Sequence, residues 1–169
     1  MRKNHLRVLM AAGSMLAAGA IALSGTLAAT AAPSSSSASG IEHLQAMSTD
    51  PTGAKTTVIA HGVFTAGGVD ISTSNTTDTF KFPNGTIKVR HSPGTGPQSF
   101  NRHTCLITVH QHGTYTLVSG TGKYAGISGH GRFQVDILAV AARSHGKCTQ
   151  SKPPAAFELI IRAAGPVHL

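Results

Sequence analysis

The chain has 169 residues, two cysteines, no tryptophan, and 14 Lys and Arg against 6 Asp and Glu, a formal net charge of +8. After residue 31 the cations stand singly, and only two Tyr and six Phe accompany them, which argues against a nucleic-acid arm or a base-stacking platform. Such a charge balance suits a solvated basic surface, with weak adsorption to extracellular polyanions such as cell-wall polymers as its functional counterpart.

Residues 1–31 read as a secretory signal peptide. Arg2, Lys3 and Arg7 give a basic start, an alanine-rich apolar run follows, and Ala29 and Ala31 occupy the two positions a signal peptidase reads. Cleavage after Ala31 makes the protein secreted and extracellular, with no membrane association afterwards. Segment 32–53 is expected to be a disordered polar spacer and lead-in, its opening "APSSSSASG" having nothing to bury; the folded unit starts between Ile41 and Ala54, and 54–169 is taken as one domain. In an exported chain the two cysteines, Cys105 and Cys148, point to a structural disulfide closing a loop of about 43 residues.

From Lys55 onward the pattern has period two, with turn signals every eight to twelve residues. This predicts an all-β domain with strands at Thr56–Thr65, Val69–Ser74, Thr76–Phe82, Thr86–His91, Thr104–Gln111, Thr114–Ser119, Gly131–Ala142 and Ala156–Ala164. Gly67-Gly68 and His112-Gly113 read as tight turns. Asn84-Gly85 suits a type I′ hairpin in which Phe82 faces Ile87, Phe80 faces Val89, and Lys81 faces Lys88 on the solvent side. "HSPGTGPQSFNRH", His91 to His103, is a long loop of the kind that borders a mouth or an edge. About eight strands without covering helices leave a closed barrel or a two-sheet sandwich.

The stretch "GTGKYAGISGHGRF" superficially suggests a phosphate loop. Tyr124 follows Gly122-Lys123 where a Ser or Thr should hold magnesium, Ala125 replaces the third glycine of a dinucleotide fingerprint, and a strand follows where both motifs need a helix. Neither nucleotide motif is present, and no cofactor is implied. The residues fit a barrel corner instead: Gly120 and Gly122 for the turn, Tyr124 as a plug, and Gly126, Gly129 and Gly131 for the bend into the next strand. With the strand before it, "YTLVSGTGKYAGISGHGRF" resembles the signature of allene oxide cyclase/dirigent-like β-barrels, including secreted actinobacterial ones. The resemblance implies an eight-stranded antiparallel barrel, a central cavity for a small apolar or aromatic ligand, and a homo-oligomer, often a trimer. Some members act as cofactor-free cyclases or coupling guides, and none of their catalytic positions can be matched onto this chain.

Candidate chemistry is sparse. His110 and His112 have the spacing of a metal pair on one strand face, without the third ligand a cupin-type site would use. Asp136 and Glu158 sit within apolar runs and alternate with Phe133, Val135 and Ile137, and with Phe157, Leu159 and Ile161. They either lie on the outer wall, the favoured placement, or enter the cavity beside Arg90 or His110 as acid–base groups.

Overall fold

Alternating side chains convert most of the chain after residue 38 into strands. The computed structural model describes residues 37–53 and 56–169, so the expected signal peptide at 1–31 and the start of the expected spacer lie outside the described residues. The strands are β1 (Ser39–Ser48), β2 (Thr56–His61), β3 (Ala66–Ser74), β4 (Thr77–Phe82), β5 (Gly85–His91), β6 (Gln98–Asn101), β7 (Leu106–Gly120), β8 (Ser128–Val140), β9 (Ala142–Ser144), β10 (Lys147–Thr149) and β11 (Ala156–His168).

Eight of them close an antiparallel barrel in the order β1, β2, β3, β4, β5, β7, β8, β11, with β11 returning to β1. The sandwich alternative is thereby excluded. Strands β7 and β8 run past the rim, where β6 pairs with the first residues of β7. The Cys105–Cys148 disulfide fastens the start of β7 to the β9–β10 hairpin, with Cα atoms 5.2 Å apart. Closing a loop of this length removes about 4 kcal/mol of chain entropy from the unfolded state at most.

The barrel begins earlier than the lead-in boundary at residue 53 implied. β1 lies inside that segment and pairs with both β2 and β11, so closure depends on it. Its hydrophobic pattern is mixed on both faces: Ile41 and Met47 face outward, while Glu42 and Ser48 are buried along with Leu44 and Ala46. A glutamate and a serine on the inner face hide a strand from any search for apolar alternation.

Three further expectations are corrected. Gly67 and Gly68 lie within β3, paired with Ile59 and Val58, and a Cβ on Gly68 would stand 2.8 Å from the Phe82 ring. His112-Gly113 does not break the chain, and the two expected strands around it are one, β7. Gly113 instead gives space to Phe133, whose Cζ would lie 2.5 Å from an added Cβ. The β4–β5 hairpin keeps Phe80, Phe82, Ile87 and Val89 on one buried face, but its register differs by two residues. Phe80 pairs with Ile87, Phe82 with Gly85, and Lys88 with Thr79 in place of Lys81. Pro83, with its preset φ, and Asn84 form the corner, since proline suits the first central position of a turn.

Gly85 is thereby freed for another contact. Its added Cβ would stand 2.0 Å from the Thr121 carbonyl, and one on Gly122 (φ 60°) would stand 2.2 Å from the Asn84 carbonyl. Backbone hydrogen bonds from Lys123 to Asn84 and from Thr121 to Thr86, both 2.9 Å, seal this junction. The glycine stretch is therefore a corner: one three-residue 3-10 turn, Gly122–Tyr124, and then β8. Tyr124 closes that end of the barrel, its ring 5.0 Å from Phe64 and 5.4 Å from Phe82. Gly120 does not have a positive φ; it is needed because the Tyr124 carbonyl comes within 2.0 Å of where its Cβ would be.

Candidate functional site

Register carries four polar side chains into the unplugged half of the barrel. Asp70 on β3 pairs with Phe80, while its neighbour two residues along, Ser72, pairs with Asp78 on β4. Asp78 pairs with Val89, two residues before His91 on β5, and His91 pairs with Tyr115 on β7. The series Asp70, Asp78, His91, Tyr115 thus steps around the inner wall over four consecutive strands. The facing wall is apolar, formed by Leu44, Ala46 and Val58 on one side and Phe133, Val135 and Ile161 on the other.

Between the two walls lies a cavity of about 290 Å³. Asn75 from the β3–β4 turn and Gly94 from the 91–103 loop contribute to its lining at the end opposite Tyr124, so that loop does border a mouth. The Phe133 ring, also in the lining, meets His91 edge-on at 5.8 Å.

Burial dominates the electrostatics of the polar arc. Asp70 is 9 % exposed, its Oδ1 has no hydrogen-bond partner, and burial followed by the nearby Asp78 charge raises its pKa from 3.8 to about 7. Asp78 is also raised by burial, against the opposing influence of His91 and a hydrogen bond from Ser72. His91 Nε2 stands 3.1 Å from Asp78 Oδ2. Its Nδ1 is 2.9 Å from the Ser92 carbonyl, which can only accept, so that nitrogen carries a hydrogen. Nε2 is thereby left to face the Asp78 carboxylate as its charge partner. The Tyr115 hydroxyl, buried and without a partner, is pushed up to about 12, first by burial and then by the Glu42 charge. Glu42 lies toward the plugged end, fully buried, and accepts the Phe64 N–H at 3.0 Å; burial raises it too.

No protein-family model, no curated protein and no solved structure matches this chain. The site is therefore read from its own chemistry. Among the described residues no helix is long and apolar enough to cross a membrane, and no group of three or more His, Cys, Asp or Glu converges as a metal site would require.

The residues singled out from sequence fall elsewhere. Asp136 and Glu158 both lie on the outer wall, as do the exposed Arg90 and His110, so none of them acts on a ligand inside the barrel. Asp136 accepts from His110 Nδ1 and Arg162 at 2.8 Å each and from Gln134 at 3.2 Å, and these partners hold its pKa below the ordinary carboxylate value. His112 does share the outer face of β7 with His110, but it borders a groove with Arg132 and Arg162, a cationic setting unsuited to a metal ion.

Asp70, Asp78, His91 and Tyr115 were not singled out from sequence. For two of them a signal exists: Asp78 precedes Phe80, and His91 follows Val89, by the two residues that keep a strand face. Asp70 carries the opposite signal, because Val69 and Ile71 beside it are 47 % and 36 % exposed. Apolar residues on the outer wall make an inward acid look solvated.

Proposed function

We propose that this is a secreted, disulfide-stapled β-barrel that binds a small, largely apolar or aromatic molecule in its interior, as a member of the allene oxide cyclase/dirigent-like barrels. The observation that carries the reading is an open interior with one apolar wall and one polar arc, the composition typical of small-molecule sites. At about 290 Å³ the space is at the lower end of such sites, so the ligand is compact. The closed eight-stranded wall and the glycine corner support the family assignment.

A thermal-shift screen against terpenoid, fatty-acid and phenolic compounds tests this proposal. A ligand at a hundred times its Kd stabilises the fold by about 2.7 kcal/mol, which raises Tm by several degrees. The variants Ala46→Phe and Ala163→Phe, which fill the cavity from β1 and β11, should abolish that shift. A shift that survives both variants, or no shift with any compound, would remove the reading.

A second reading rests on Asp70. A carboxyl with a pKa of about 7 in a cavity is suited to proton transfer, as a cofactor-free isomerase or cyclase would require. Asp70 takes the part for which Asp136 and Glu158 are misplaced. Consumption of a bound ligand by the native protein but not by Asp70→Asn would favour it; binding without consumption would leave the first reading.

A further inference from the structure

The acids of this chain are distributed against its charge. Of the six Asp and Glu, Glu42, Asp70 and Asp78 face the barrel interior, while no Lys or Arg lines the cavity. In a protein with a formal charge of +8, ordinary surface statistics would scatter acids among the outer cations, as happens at Asp136. The interior concentrates acids and supplies no Lys or Arg to match them, only His91 beside Asp78. Among the described residues, three side-chain atoms are buried there without partners: Asp70 Oδ1 and the Tyr115 hydroxyl, both on residues lining the cavity, and Glu42 Oε1 nearer the plug. Buried polar atoms in native proteins are nearly always bonded, and an orphaned pair on a cavity wall marks where a ligand's polar group fits.

Resting on the reading of the barrel as a ligand-binding protein, we propose that its ligand is a small aromatic or apolar amine, with the protonated nitrogen against Asp70 and the hydrocarbon against Phe133, Val135 and Ile161. An ammonium supplies what this site lacks, a mobile cation with several donors, and the facing wall supplies what an aryl group needs. A metal ion is a poorer occupant: it would need a third converging ligand, and none is present among the described residues. An anionic or carboxylate ligand would meet two acids and no fixed positive charge.

The amine exchanges with a proton. Below Asp70's pKa the carboxyl is neutral and a cation gains little; above it the carboxylate is free to pair. Other titratable groups facing Asp70 are Asp78 on β4, His91 on β5 and Tyr115 on β7, with Glu42 on β1 nearer the plug. The β2, β8 and β11 residues of the lining are apolar. Binding accordingly strengthens as pH rises from 5.5 to 8 and releases a proton.

Isothermal titration with 2-phenylethylamine and its neutral analogue 2-phenylethanol tests the assignment, using the native protein and Asp70→Asn. At pH 8 the amine should bind about tenfold tighter than the alcohol or better, the usual gain of a charge-assisted hydrogen bond, and the ratio should fall toward one at pH 5.5. Asp70→Asn should weaken the amine by about the same factor while leaving the alcohol within about threefold, which also shows that the variant's cavity is intact. Equal binding of amine and alcohol at pH 8, or an unchanged ratio in Asp70→Asn, would overturn the amine assignment while leaving the cavity reading in place. Failure of both compounds to bind at millimolar concentration would overturn both.

Discussion

Replacing Asp70 by asparagine should stabilise the protein at pH 8 by about 2–4 kcal/mol and do little at pH 4. A group whose pKa is raised on folding binds its proton more tightly in the folded state, so its stabilising contribution is complete below the ordinary value. It is lost as pH climbs through the folded one. For Asp70 that window runs from 3.8 to about 7. At ~1.4 kcal/mol per tenfold change in proton affinity, the native chain carries a penalty of roughly 4 kcal/mol once the carboxylate is ionised. The asparagine amide keeps the shape and loses the charge, and its own desolvation offsets part of the gain. Asp78 and Glu42, also raised by burial, slope the native profile in the same direction. Asp136, held low by His110, Gln134 and Arg162, matters only at more acidic pH, where its contribution falls away as it protonates.

Urea unfolding at a series of pH values checks this. Native stability should decline between pH 5 and pH 8, and the Asp70→Asn profile should be flatter over the same range. A native profile flat across that range, or a variant less stable at both ends, would show that Asp70 is not buried as described. A side chain whose removal strengthens the fold is poorly explained by structure alone and well explained by a ligand.

Tyr124→Ala should cost about 3–5 kcal/mol, the range for truncating a large buried ring, and lower Tm by on the order of 10–20 °C. The tyrosine is 4 % exposed and contacts two phenylalanines, Phe64 and Phe82, from different parts of the wall. Truncation both removes apolar contact and opens the closed end of the barrel to water. Tyr124→Phe retains the ring and should stay within about 1 kcal/mol of the native protein. Thermal or chemical unfolding of the pair separates plugging from any role of the hydroxyl. A loss below about 1 kcal/mol in the alanine variant would mean the corner does not seal the barrel.

Features set by neighbouring residues in the chain were legible without coordinates. The glycine corner failed both nucleotide motifs on specific residues, Tyr124 and Ala125, and the same residues build the 3-10 turn and its plug. Parity placed Phe80, Phe82, Ile87 and Val89 on one buried face, and favoured the outer wall for Asp136 and Glu158. An even cysteine count, in a chain whose start reads as an export signal, led to the pairing of Cys105 with Cys148.

What stayed hidden depends on contacts between distant strands. β1 puts Ile41 and Met47 outside and Glu42 inside, at the two ends of an otherwise ordinary alternation, and its place is set by closure against β2 and β11. Gly113 looks like a turn until the Phe133 ring is seen to occupy its missing side chain's place. The Pro83-Asn84 corner displaces the expected Asn84-Gly85 one because Gly85 is taken up by its approach to Thr121. The cavity is the extreme case. Asp70, Asp78, His91 and Tyr115 come from four strands, and no single strand's alternation marks them as one group.

The most direct measurement is a carbon-13 NMR titration of the side-chain carboxyls, with Asp70→Asn identifying the Asp70 resonance. An acid enclosed in an apolar barrel interior should titrate with a midpoint near 7. A midpoint near the ordinary 3.8 would place Asp70 in water, and the cavity proposed as the ligand site would lose its charged wall.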